Sequence, residues 1–110
     1  MLDINMEFRK GILFVRLKGV LDIYTLESFK EEVSNLIRKN GIKYLVMNLN
    51  NLEYIDDLGI NQLIRDYRQI ASINGKVVVC GIEEKNYPKK LLKDTYISNN
   101  ELSALNILNI

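Results

Sequence analysis

Histidine is absent from the 110 residues of this chain. That absence removes Ser-His-Asp and Cys-His catalysis, zinc sites built on imidazole, and the side chain best suited to proton transfer near neutral pH. Carboxylate chemistry stays open. Cysteine occurs once, at Cys80, so no disulfide can form within the chain. Cys80 closes the run Val77-Val78-Val79-Cys80, which reads as buried strand and an inert thiol, because reactive thiolates need an electropositive, partly exposed setting. No apolar run approaches the roughly 20 residues that cross a bilayer. The opening Met1-Leu2-Asp3-Ile4-Asn5 alternates polar and apolar residues, unlike a signal peptide. A soluble, cytoplasmic protein without membrane insertion is expected. An excess of charge is lacking too: Lys and Arg number 15 against 14 Asp and Glu, which supports neither a nucleic-acid binder nor an acidic tail. Glycine-rich phosphate loops, a dinucleotide fingerprint and an aromatic cluster for stacking bases are all missing, so no cofactor is expected.

What is present reads as one domain over residues 1–110, since two halves would each be too small to build a core. Leu2, Ile4, Met6 and Phe8 alternate with polar residues as in a half-buried strand. Arg9-Lys10-Gly11 is a turn, and Ile12 to Leu17 a second strand, with Gly19 marking its end. Leu26, Phe29, Val33, Leu36 and Ile37 then share a helical face, with Lys30, Glu31, Glu32 and Asn35 opposite. Thr25 is placed to cap this helix, and Asn40-Gly41 to stop it in the left-handed region. Tyr44 to Leu49 is nearly continuous apolar chain, as in a strand covered on both faces. A second helix buries Ile60, Leu63, Ile64, Tyr67, Ile70 and Ala71 and ends at Asn74-Gly75; Lys76 to Ile82 is a further strand, parallel to the previous one. Tyr87-Pro88 starts a short helix through Leu91 and Leu92, and Thr95-Tyr96-Ile97 forms a short edge strand. Ser98 and Glu101 have capping-box spacing for a last helix with Leu102, Leu105 and Leu108. The order is β-β-α-β-α-β-α-(β)-α, an α/β mixed sheet of roughly four to five strands with about four helices.

Chemistry gathers around Asp56-Asp57-Leu58-Gly59, between the apolar strand and the second helix. Glu53, Asp56 and Asp57 crowd the segment leaving that strand, and Asp22 leaves the preceding one, so Asp22 is expected to approach Asp56. Such a group can hold Mg²⁺ through oxygen ligands; the plainer reading is that Asp57 caps the helix and the others are solvated, and no metal is expected. Gly59 lies in the first helical turn, where glycine costs up to roughly 1 kcal/mol against alanine. Its place is explained by close packing on the sheet, or by backbone N–H groups open to a partner. Asn61, Gln62, Arg65, Asp66, Arg68 and Gln69 are read as the exposed helix face, polar and mixed in charge, with Leu58 beside it as a small apolar anchor for a protein.

Gly19-Val20-Leu21-Asp22, then Thr25, then the apolar strand and Ile55-Asp56-Asp57-Leu58-Gly59-Ile60 resemble the STAS domain of anti-sigma-factor antagonists of the sporulation and stress-response type. Tyr67-Arg68-Gln69-Ile70, Asn74-Gly75 and Val78-Val79-Cys80 extend the likeness over essentially the whole chain. The resemblance implies a STAS-like mixed sheet with helices. It also implies a bacterial, non-enzymatic regulator that binds an anti-sigma factor of the histidine-kinase-like ATPase type and so frees a sigma factor. In that family the kinase phosphorylates a Ser or Thr just before the glycine. Asp22, Thr25, Asp56, Asp57, Leu58 and Gly59 are then expected to form the partner-binding surface, extended by Asn61, Gln62 and Arg65.

The chain departs from the family pattern where the switch would be. The acceptor position is Leu58, which has no hydroxyl, and the preceding position is Asp57. Phosphorylation at the usual site is chemically impossible. Three consequences compete: constitutive binding without the switch; Asp57 as a fixed negative charge, one residue away and weaker than a phosphate of about −1.5 to −2; or another STAS role such as scaffolding or lipid-transport assembly. A receiver domain with an aspartyl-phosphate acceptor is disfavoured by the opening hairpin, and by the lack of an acidic pair after the first strand.

Overall fold

The opening hairpin forms as expected. β1 (Leu2–Arg9) and β2 (Ile12–Leu21) pair antiparallel, with Ile4 opposite Leu17 and Phe8 opposite Leu13. β2 runs parallel to β3 (Tyr44–Ile55), β3 to β4 (Lys76–Cys80) and β4 to β5 (Thr95–Ser98), so five strands stand in chain order. The computed structural model describes residues 1–82 and 88–109. Tyr87, where the sequence suggests a helix start, lies outside the described residues.

Alternation in the strands divides the core. Leu13, Val15 and Leu17 of β2, Leu45 and Met47 of β3, and Val77 and Val79 of β4 face one side, and the first two helical segments of the chain close over them. The first is a rod made of α1 (Leu26–Phe29), a π-helical stretch (Lys30–Ser34) and α2 (Asn35–Asn40), which contributes Phe29, Val33 and Ile37. The second, α3 (Asp57–Ala71), contributes Ile60, Leu63, Tyr67 and Ile70. On the opposite face Ile12, Phe14, Val46, Val78 and Cys80 lie beneath α4 (Glu101–Leu108), which buries Ala104 and Leu108. Cys80 is wholly buried, and burial pushes its thiol up to about 11, so it is a packing group. Arg16 fixes α4 by a two-pronged ion pair to Glu101, both contacts at 2.7 Å, and the Asn48 amide donates to the same carboxylate at 2.8 Å.

Several boundaries differ from the sequence reading. Gly19 lies within β2: its φ of +102° sits at a register shift against β3, and a side chain there would run into the Met1 carbonyl. The bulge lets the strand continue to Leu21. β3 likewise extends to Ile55, because β2 gives it a partner that far, while β4 ends at Cys80. Thr25 precedes α1 without capping it through its side chain; the hydroxyl donates to the Val20 carbonyl at 2.8 Å. The proposed helix at Pro88 is a single 3₁₀ turn, Lys89–Leu91, with Pro88 just before it. Asn100, not Ser98, caps α4, accepting from the Ser103 N–H at 2.8 Å, while Glu101 is engaged by Arg16. Leu102 of that helix points to solvent at 74% exposure, because the sheet receives Ala104 and Leu108 instead.

Candidate functional site

Parallel pairing of β2 and β3 brings their C-terminal ends together, with Leu21 opposite Ile55. The Asp56 N–H donates to the Leu21 carbonyl at 3.1 Å. One oxygen of the Asp56 carboxylate accepts from the Gly59 N–H at 2.8 Å, and the other from the Ile23 N–H at 2.9 Å. Asp56 is thus the N-cap of α3, and also ties that helix start to the loop after β2. From the sequence, Asp57 is the expected cap. Asp57 is instead the first helical residue and is exposed, because the extended backbone of Asp56 aims its carboxylate back at the first turn.

Asp22 performs the matching task one strand away. Its carboxylate accepts from the N–H groups of Tyr24 at 2.9 Å and Thr25 at 3.2 Å. The Thr25 hydroxyl accepts from the Asp22 N–H at 3.0 Å. Asp22 and Thr25 therefore shape the β2–α1 loop. Glu53 is an exposed residue of β3. Among the described residues no group of three or more Asp, Glu or Cys is placed to hold a metal ion.

Gly59 is buried. A Cβ on it would stand 2.9 Å from the Leu21 carbonyl and 2.9 Å from Ile55 Cγ1. Close packing of the helix start on the sheet accounts for this glycine, and its N–H is already taken by Asp56. Leu58, the residue before it, is 43% exposed. Asn61 and Arg65 follow on the exposed side of α3.

Gln62 and Asp66 do not. Both were expected on the exposed face, but they are 8% and 5% exposed. They sit beside the apolar stripe, and the helical rod α1–α2 packs over them. The Ser34 hydroxyl, at the end of the π-helical stretch, donates to Asp66 at 2.9 Å. The Gln62 amide donates to the Ser34 oxygen and to Asp66, each at 3.1 Å. Burial drives the Asp66 carboxyl up to about 6, although hydrogen bonds from Ser34 and Gln62 and the charge of Arg38 oppose the rise. Gln62 belongs to a polar clasp between helices, not to an outer surface. Its spacing carried the signal: positions 59, 62, 66 and 70 follow one helical stripe.

Sequence reasoning also passed over the most exposed apolar groups of this corner. Ile23 is 60%, Tyr24 91% and Tyr54 58% exposed. Ile23 and Tyr24 lie on the loop held by Asp22 and Asp56, and Tyr54 pairs with Val20 just before the strand ends. Leu58 stands exposed on the helix start that Asp56 ties to the Ile23–Tyr24 loop, and Glu53 and Asp57 are exposed residues beside Tyr54 and Leu58 in the chain. Two adjacent apolar residues in a loop outside any periodic run were the only signal available in the sequence.

A model of the STAS domain matches residues 3–96. The chain is 29% identical over 113 aligned positions to an anti-sigma F factor antagonist of Paenibacillus polymyxa, covering 99% of this chain and 97% of that protein. Its fold is similar to the unphosphorylated anti-sigma factor antagonist SpoIIAA, with a TM-score of 0.78 at 16% identity and 97% and 98% of the two chains covered. It is also similar to an anti-sigma factor antagonist from Mycobacterium paratuberculosis, with a TM-score of 0.82 at 18% identity and 100% and 96% covered.

Proposed function

The chain belongs to the STAS domain family, and from that premise we propose that it is a cytoplasmic anti-sigma-factor antagonist that works by docking alone. In this reading it engages an anti-sigma factor of the histidine-kinase-like ATPase type and so releases a sigma factor. It performs no catalysis and carries no phosphorylation switch at the start of α3. The name of the full-length relative from Paenibacillus polymyxa supports the antagonist role. The observation that carries the docking surface is Leu58: an apolar side chain, 43% exposed, on a helix start that Asp56 holds rigidly to the β2–α1 loop. Asp22 and Thr25 act by setting the shape of that loop, Gly59 by allowing α3 to seat on the sheet, and Asp57, Asn61 and Arg65 as the polar rim. Gln62 is withdrawn from the contact surface, since it is buried in the clasp.

A preformed surface of this kind needs little reorganisation on binding, which favours affinity. The test is co-purification of the tagged chain from its host, with wild type beside Leu58→Lys and with the intact mass recorded. A kinase-like ATPase retained by the wild type and lost with Leu58→Lys, at unchanged melting temperature, supports the reading. Retention of that partner by the variant, or a mass increase of one phosphate on the purified wild type, overturns it.

A further inference from the structure

Charge around α3 is polarised along its length. Asp57 stands at its start and Arg65 and Arg68 on its exposed second half, and the 3₁₀ turn that packs beside that half carries Lys89 and Lys90, with Lys93 following. Arg68, Lys90 and Lys93 line one small cleft of about 10 Å³ together with Ile64, Tyr67 and Asp94. All five cations are exposed, and among the described residues none of them makes an ion pair. The one acidic residue on this half of α3, Asp66, is turned inward into the clasp with Ser34 and Gln62.

Helix polarity does not explain the whole belt. Arg68 suits the negative C-terminal end of α3, but that effect fades within a turn of the helix axis and does not gather three lysines from a different element. The chain as a whole is nearly neutral, at +1, so the belt is a local concentration and not a sample of a basic protein. We propose that this belt is a docking surface for an acidic segment of a protein partner, separate from the Leu58 corner. Anionic membrane is the poorer occupant, because among the described residues no large apolar side chain from Pro88 to Asp94 stands exposed to enter the interface. Nucleic acid is poorer as well, since among the described residues the cleft offers no exposed aromatic ring for base stacking. Exposed cations of this kind speed encounter with an acidic surface and make binding salt-sensitive.

The belt can be probed without the anti-sigma factor. The full chain, labelled with ¹⁵N, is titrated with a deca-glutamate peptide at low and at moderate salt. Amide shifts should cluster at residues 64–69 and 89–94, and affinity should fall about tenfold or more between roughly 20 and 200 mM salt. The triple variant Lys89→Gln, Lys90→Gln, Lys93→Gln should bind at least about fivefold more weakly, with melting temperature unchanged. The control Lys18→Gln, Lys39→Gln, Lys43→Gln, which removes as much charge elsewhere, should bind like the wild type. Scattered shifts, or equal losses in the two variants, would overturn the proposal. So would tighter binding to phosphatidylglycerol vesicles or to duplex DNA than to the peptide.

Discussion

The Ser34 hydroxyl, at the end of the π-helical stretch, donates to the Asp66 carboxylate of α3 at 2.9 Å, and both residues are less than one-tenth exposed. With Gln62 these groups form a buried polar clasp in which, among the described residues, no cation makes a hydrogen bond. A carboxylate in such a place is costly to ionise, because hydroxyl and amide donors replace water only in part.

Stability should therefore fall as pH rises through the range set by Asp66. Its carboxyl is raised from an ordinary 3.8 to about 6 in the folded protein. Between these values the folded state holds a proton that the unfolded state has lost. The contribution is full below about pH 4, shrinks through pH 5 and is gone above about pH 6. Asp66→Asn, which keeps a neutral group at all pH values, should be more stable than the wild type at pH 7.5 by about 1–2 kcal/mol, and close to it at pH 4.5. Urea unfolding at the two pH values measures this; equal differences at both would show that Asp66 is not the titrating group.

Asp56 and Asp57 should separate sharply under alanine substitution. Asp56→Ala removes acceptors for both Gly59 and Ile23 and should cost about 1–2 kcal/mol. Asp57→Ala loses only a favourable charge in the first turn, worth about 0.3–1 kcal/mol at low salt. Denaturant titration of the two variants decides between them, and a larger loss for Asp57→Ala would reassign the cap.

Two effects oppose each other at Gly59. Alanine is the better helix former by about 1 kcal/mol, yet the added methyl meets the Leu21 carbonyl and Ile55 at 2.9 Å. One of these contacts is backbone that cannot turn aside, so overpacking should win, with a net loss of about 1–3 kcal/mol. Thermal unfolding of Gly59→Ala checks the sign. A raised melting temperature would mean that α3 can shift off the sheet freely.

Tyr24 is 91% exposed and packs against little in the isolated domain. Tyr24→Ala should leave the melting temperature within about 1 °C, while weakening capture of the co-purified partner by tenfold or more, as expected of an aromatic anchor. Calorimetric titration against that partner gives the number. Unchanged affinity would confine the contact to Leu58 and the face of α3.

The site was legible in the sequence wherever the signal was local. Alternation in Leu2–Phe8 and the helical spacing of Phe29, Val33 and Ile37 placed the core, and the run Val77-Val78-Val79-Cys80 placed a central strand. Asn40-Gly41 marked a left-handed stop, and Gly41 has φ +57°. What failed was decided between elements. Gln62 looked solvent-facing on its own helix, and only the π-helical turn that presents Ser34 from a segment 28 residues away gives it a buried partner. Thr25 and Ser98 had capping spacing, but the carbonyls of Val20 and Asn100 took their hydroxyls.

By itself the sequence determined the order of strands and helices, the lack of imidazole chemistry, and the lack of a hydroxyl at position 58. These are properties of residue identity and of short-range period, which survive any arrangement of the elements. The tertiary structure alone decided that Asp56 and not Asp57 holds the start of α3, that Gln62 and Asp66 turn inward, and that Ile23, Tyr24, Tyr54 and Leu58 stay exposed. Hydrogen bonds and burial depend on which strand ends lie side by side. Here the parallel pairing of β2 with β3 brings Ile23 to Asp56, 33 residues apart in the chain and 2.9 Å apart in space.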